Sequence, residues 1–233
     1  MSMSTQRRKH VTRRSCDEMR REVAGTARVA SRARNMMPVR GRFHVPCIWE
    51  THHVTPLVHL RILNQMPLPC GPISTRGSYY HMEATPRAGG SAITLVFERH
   101  CAEKLLRRLG RDLLPVFDPI AQSLASAGAA PLSRLRMGAL NADLFDAIHM
   151  LCIVRGAVPR NGVTRTLAAL RRNPDTPVQR HEIVRFAQAL ANDGGRSLSQ
   201  AIDLLRKANP RLREFSFEFL RARMIREGLP IYL

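Results

Sequence analysis

The sequence predicts a mainly α protein: a C-terminal helical bundle over residues 93–233 with a candidate helix-turn-helix, preceded by a basic, largely irregular region over residues 1–92. Three observations predict it. Apolar residues make up 44% of the chain and aromatics only 5%, and Ala, Leu, Val and Ile supply most of the apolar content, which suits helix packing better than packed sheets. Beyond Phe97, apolar residues recur at helical spacing between start and stop signals. Before it, residues 37–90 are rich in Pro, Gly and His and hold no sustained period, so they read as extended or disordered.

In that first region only the short apolar runs 54–63 and 92–97 offer strands or edge contacts. Residues 15–34 have the spacing of an amphipathic helix through Met19, Val23, Ala27 and Ala30. The first regular helix of the bundle spans 100–109, with Cys101, Leu105, Leu106 and Leu109 in one stripe and Gly110 as its stop. Asp118-Pro119 reads as an N-cap with proline at the first helical position, opening a helix over 120–127.

Asn141 is the expected cap of a helix over 142–155 that ends at Gly156. Leu144, Phe145, Ile148, Leu151 and Cys152 form its broad face. Met150, Ile153 and Val154 make it apolar nearly all round, the mark of a central buried helix. Asp143 and Asp146 share its opposite, solvated face, and His149 reads as a core histidine. A shorter helix over 165–172 closes at Asn173-Pro174. The next, over 181–192, turns Ile183, Phe186, Ala187 and Leu190 inward and ends at Asp193-Gly194-Gly195. Ser197 and Gln200 have capping-box spacing for a helix over 198–209, stopped by Pro210. A last helix is expected over 212–227, although Phe215, Phe217 and Phe219 also alternate as a strand would.

The strongest functional signal is charge. The chain carries 37 basic and 18 acidic residues, a formal +19, and all its basic residues are arginine except Lys9, Lys104 and Lys207. A guanidinium is always charged and presents a planar fork of donors suited to phosphate or carboxylate. GC-rich codon usage explains many arginines without any ligand, but it does not explain why acids are outnumbered two to one. The leading expectation is a small basic DNA-binding protein, with regulation or mobile-element accessory work as its setting.

Two elements carry that expectation. Residues 181–209 have the layout of a helix-turn-helix, with Gly194-Gly195 as turn and Leu190, Ala201 and Leu204 as seam. Arg196, Arg206, Lys207, Arg211 and Arg213 are its candidate phosphate or base contacts. Against it, Arg196 falls where such units often place an apolar residue, and Asp203 lies on the reading face. The second element is the basic arm, where Arg7, Arg8, Lys9, Arg13 and Arg14 suit sequence-independent phosphate contacts. The rival expectation, from another class, is a helical protein–protein interaction module (an adaptor, secretion-related factor or effector) whose arginines meet an acidic protein partner. RNA is disfavoured, because Trp49, Tyr79 and Tyr80 lie in the irregular part and make no stacking platform.

No cofactor is expected. His44, Cys47, His52, His53, His59, Cys70, His81, His100 and Cys101 crowd one region, but zinc needs two well-spaced pairs and only His44/Cys47 offers one, so no metal is assigned. The five cysteines of the chain form no CxxC pair and read as reduced thiols. His181-Glu182 lacks the second histidine of a zinc-protease helix, and no phosphate loop or nucleophile elbow occurs. No catalytic residue is assigned. No apolar run approaches the ~18–20 residues of a membrane span, and the expected location is cytoplasmic, nucleoid-associated for a DNA binder, or nuclear in a eukaryotic cell.

Overall fold

Three short segments pair into an antiparallel meander. β1 (His52–Arg61), β2 (Ser78–Pro86) and β3 (Ile93–Glu98) pair in the order β1-β2-β3. The computed structural model describes residues 45–63, 77–120, 137–158, 162–191 and 196–233, and these fall in the unit 36–233. Seven helices accompany the sheet among them: α1 (Val45–Thr51), α2 (Arg99–Arg108), α3 (Ala139–Arg155), α4 (Val163–Arg172), α5 (Arg180–Ala191), α6 (Leu198–Ala208) and α7 (Glu218–Arg226).

The sheet is covered on both faces. Tyr80, Met82, Ala84, Leu95 and Phe97 pack with Ala102, Leu105 and Leu106 of α2. Tyr79 and Val96, facing the other way, join Val58 and Leu60 in the core of the helical layer. A bulge makes the second arrangement possible. Pro56 opposes Met82 and Val58 opposes His81, so Leu57 is an extra residue. It reverses the pleat, so Val54 points to the α2 layer while Val58 and Leu60 point to the helices.

Two expectations are corrected here. The protein combines helices with a core sheet, so mainly α is too narrow, and the boundary expected near residue 92 falls between two strands of one sheet. The part of residues 1–92 that is described contains β1 and β2, paired along their lengths, not irregular chain. The run 54–63 is the strand that composition allowed.

α3 is the central helix, with Leu144, Phe145, Ile148, Met150, Leu151 and Cys152 all buried. Gly156 ends it in the left-handed region at φ 60°, where glycine has no Cβ penalty. Its N-cap is Gly138, not Asn141. Asn141 is buried one turn in, where its amide donates to the carbonyls of Pro174 and Thr176 and accepts from the N–H of Val178. α6 opens with the expected capping box between Ser197 and Gln200.

The last helix is shorter than the periodicity predicts. It begins at Glu218, after Phe217 adopts φ 51°. Phe217 is buried and stacks on Phe215 with ring centres 5.8 Å apart, so aromatic burial holds a conformation that bulky residues avoid. Asp143 then accepts hydrogen bonds from the N–H groups of Phe219 and Leu220 at 2.8 and 3.1 Å. It therefore caps α7 from another helix, and the solvated face expected of Asp143 and Asp146 is instead a contact face. The expected helix over 120–127 lies outside the described residues apart from Ile120, whose N–H is bonded by Asp118.

Candidate functional site

The helix-turn-helix candidate maps onto α5 and α6. Its turn, Gly194-Gly195, lies outside the described residues. Each helix packs more closely on α3 than on the other. Leu190 and Ala201 are buried as a seam requires, but Leu204 is 47% exposed. The first turn of α6 is covered by the chain's C-terminal segment: Leu198 N–H donates to the Tyr232 carbonyl at 2.7 Å, and Leu233 is buried. A reading helix would present that turn to the groove.

The candidate basic residues divide accordingly. Arg7, Arg8, Lys9, Arg13 and Arg14 lie outside the described residues. Arg196, Lys207 and Arg211 are exposed. Arg206 is ion-paired with Asp203 at 2.7 Å. Arg213 points inward: it pairs with the buried Asp146 at 3.1 Å and lies over the rings of Phe117 and Phe215.

A denser basic face, missed by the sequence reading, lies on α2 and the turn after it. Arg99, Lys104, Arg107, Arg108 and Arg111 are all exposed there. Helical spacing sets Ala102, Leu105 and Leu106 against the sheet and leaves the charged positions outside. Arg108 lies 4.2 Å above the Trp49 ring, and Glu103 pairs with both Arg99 and Arg107. The signal was present as R-x4-K-x2-RR-x2-R, but its acids and leucines read as an ordinary amphipathic helix.

The partition of the carboxylates matters more than any one arginine. Glu103, Asp118, Asp146 and Glu227 are ion-paired and at most 15% exposed at the side chain. Among the described residues, fifteen basic side chains are exposed against six acidic ones. Acids are thus spent inside the fold, and the surface is more cationic than the composition.

At one end of the sheet, next to α2, polar groups converge. His59 and Ser78 are both buried, and His59 Nε2 lies 2.7 Å from Ser78 Oγ. His59 Nδ1 lies 2.8 Å from the Leu114 carbonyl. A carbonyl only accepts, so Nδ1 carries the proton and Nε2 accepts from the serine hydroxyl. The imidazole stacks on Tyr80, with ring centres 3.9 Å apart. Burial above all, with Arg99 and Arg171, lowers the imidazole's pKa, against the opposing pull of the Leu114 carbonyl and Glu103. Ser78 opens onto a cleft of about 370 Å³, lined also by Ile62, Gly77, Glu98, Arg99, His100 and Glu103.

Of the expected histidine and cysteine crowd, His44 and Cys70 lie outside the described residues. His81 is fully buried, and neither ring nitrogen has a hydrogen-bond partner. Burial pushes its pKa down to about 4. His52 bonds the neighbouring Thr51 hydroxyl. Among the described residues no three His, Cys, Asp or Glu side chains are grouped to hold a metal ion. His149 is a core histidine: its Nδ1 bonds the Phe145 carbonyl at 2.7 Å, and Arg171 lies 3.2 Å from Nε2. Burial, then the Arg171 charge, holds it well below the usual histidine range. No helix among the described residues is long and apolar enough to cross a membrane.

No curated protein and no solved structure matches this chain. One family profile does, over residues 41–231, which takes in the sheet and every helix described: the chain belongs to the family described as uncharacterised conserved protein UCP028583.

Proposed function

We propose that this chain binds DNA through the sugar–phosphate backbone, with the exposed face of α2 as its main anchor. The observation that supports the reading is the partition of charge. Carboxylates are half-buried in ion pairs while Lys104, Arg107, Arg108 and Arg111 stay exposed along one helix and its following turn. Such a face neutralises phosphates without reading bases, so it confers affinity without sequence choice. The α6 reader is the weaker version of the same proposal, since the C-terminal segment covers the start of that helix and two of its arginines are paired. A regulator or accessory role in DNA transactions would rest on this anchoring.

Fluorescence anisotropy of a labelled random duplex, titrated with the full chain at several salt concentrations, tests it. Tight binding that weakens steeply with salt supports the reading; binding indifferent to salt, or none at low salt, overturns it.

One observation favours the interaction-protein alternative. Phe219 and Ile225 of α7 are 58% and 59% exposed beside Arg221 and Arg226, a mixed apolar and basic surface suited to an acidic protein partner. That reading predicts a saturable protein contact that survives salt and is abolished by Phe219→Ser.

A further inference from the structure

The cleft beside α2 holds an arrangement that DNA anchoring does not use. Ser78 Oγ donates to His59 Nε2 at 2.7 Å, and the Leu114 carbonyl fixes the imidazole from its other nitrogen at 2.8 Å. We propose that Ser78 and His59 form a nucleophile–base pair that hydrolyses small carboxylic esters in this cleft.

Three features distinguish it from two buried polar groups that merely satisfy each other. First, the tautomer is set. Leu114 accepts from Nδ1, so Nε2 is the basic nitrogen and it faces the serine, as a general base must. Second, Ser78 is one of the residues lining an open cleft of about 370 Å³, enough for a short ester. Gly77, at φ 113°, bounds the cleft next to the serine without a side chain to block it. Third, electrostatic support lies within reach. Tyr79 opposes Glu98 in the ladder, so Ser78 sits alongside the start of α2. Arg99, the first residue of that helix, lines the cleft with Ser78, and its guanidinium offers N–H donors to a developing oxyanion.

The steps balance. Ser78 Oγ bonds to the ester carbonyl carbon as its proton passes to His59 Nε2. The tetrahedral intermediate collapses, the C–O bond to the alcohol breaks, and the alcohol leaves with that proton. Water then adds to the acyl-serine, giving a proton to Nε2. The acid departs as Ser78 Oγ recovers the proton. Glu103 helps to stabilise the imidazolium, while Arg99 and Arg171 oppose it. The pair therefore works with His59 neutral at rest, and Tyr80, stacked on the ring, shields it from water.

The test is labelling of the full chain with a fluorophosphonate, mapped by peptide mass spectrometry, together with p-nitrophenyl acetate hydrolysis. A single adduct on Ser78, abolished by urea, is expected, with a rate that falls as pH drops below the histidine range. His59→Ala should slow labelling by roughly 100-fold or more, and Ser78→Ala should bring ester hydrolysis to the background rate. Mapping on the unaltered chain depends on no variant folding. No adduct on the native chain, or one on another serine at an equal rate, overturns the proposal. Duplex binding is read separately, so either reading stands or falls without the other.

Discussion

Arg213 reaches from the segment after α6 to the middle of α3, where its Nη2 lies 3.1 Å from Asp146 Oδ2. Asp146 is 7% exposed at the side chain and Arg213 24%. The Arg213 N–H also donates to the Pro119 carbonyl at 2.9 Å, so one residue ties the chain before α3 to the chain before α7. Sequence alone places Arg213 in a DNA-contacting group; the structure makes it an internal clamp.

Removing the arginine takes a charged partner from a nearly buried carboxylate. Arg213→Ala should lower the unfolding free energy by about 3 kcal/mol or more, measured by urea denaturation. Arg211→Ala, two residues earlier and exposed, should change it by less than about 0.5 kcal/mol. Equal stability of the two variants would remove the clamp.

Asp143 and α7 give a second prediction. One carboxylate oxygen accepts from two N–H groups of the first turn, at 2.8 and 3.1 Å. Asp143→Ala should cost about 1–2 kcal/mol, as loss of a helix cap does, while Asp143→Asn keeps an acceptor and should recover most of it. Burial raises this carboxyl's pKa against the pull of the same two hydrogen bonds. An asparagine variant as unstable as the alanine one would mean that charge, not the acceptor, does the capping.

For the α2 face, log-log plots of duplex affinity against salt are the measurement. Every cationic side chain that no longer neutralises a phosphate should flatten the slope by about 1. Lys104→Ala with Arg111→Ala should therefore flatten it by about 2, and Lys207→Ala with Arg211→Ala by less. The reverse order would move the anchor to α6.

The helices from α2 to α6 were legible because they carry start and stop signals: the Ser197/Gln200 box, Gly110, Gly156 and Asn173-Pro174 all bound helices where the spacing expects them. The sheet was not, and for a physical reason. A half-buried strand alternates, whereas β2 runs Ser78-Tyr79-Tyr80-His81-Met82 with all five buried, because helices cover both faces. The extra residue at Leu57 likewise breaks the period of β1 midway. Phe217 misled for a third reason, since tertiary burial of its ring overrides the helical pattern around it. The Ser78–His59 pair spans 19 positions and is assembled only by strand register, which leaves no local motif.

His81 makes stability depend on pH. It lies on β2 opposite Val58 and Val96, with the Tyr79 ring 5.3 Å away, and both its ring nitrogens lack partners. Its pKa is about 4 in the fold against 6.5 for the free side chain. Above about pH 6.5 it is neutral in both states, and protonation makes no difference to stability. As pH falls below that, the unfolded chain takes up a proton that the folded chain refuses, so stability drops until about pH 4. With ~1.4 kcal/mol per pKa unit, the loss approaches about 3 kcal/mol. His149, held low by the same burial, adds to the loss in the same direction. His81→Leu should therefore unfold at a similar or higher urea concentration than the unaltered chain at pH 7, and at a clearly higher one at pH 4.5. Parallel losses in the two proteins between these pH values would show that His81 takes up its proton without unfolding the sheet.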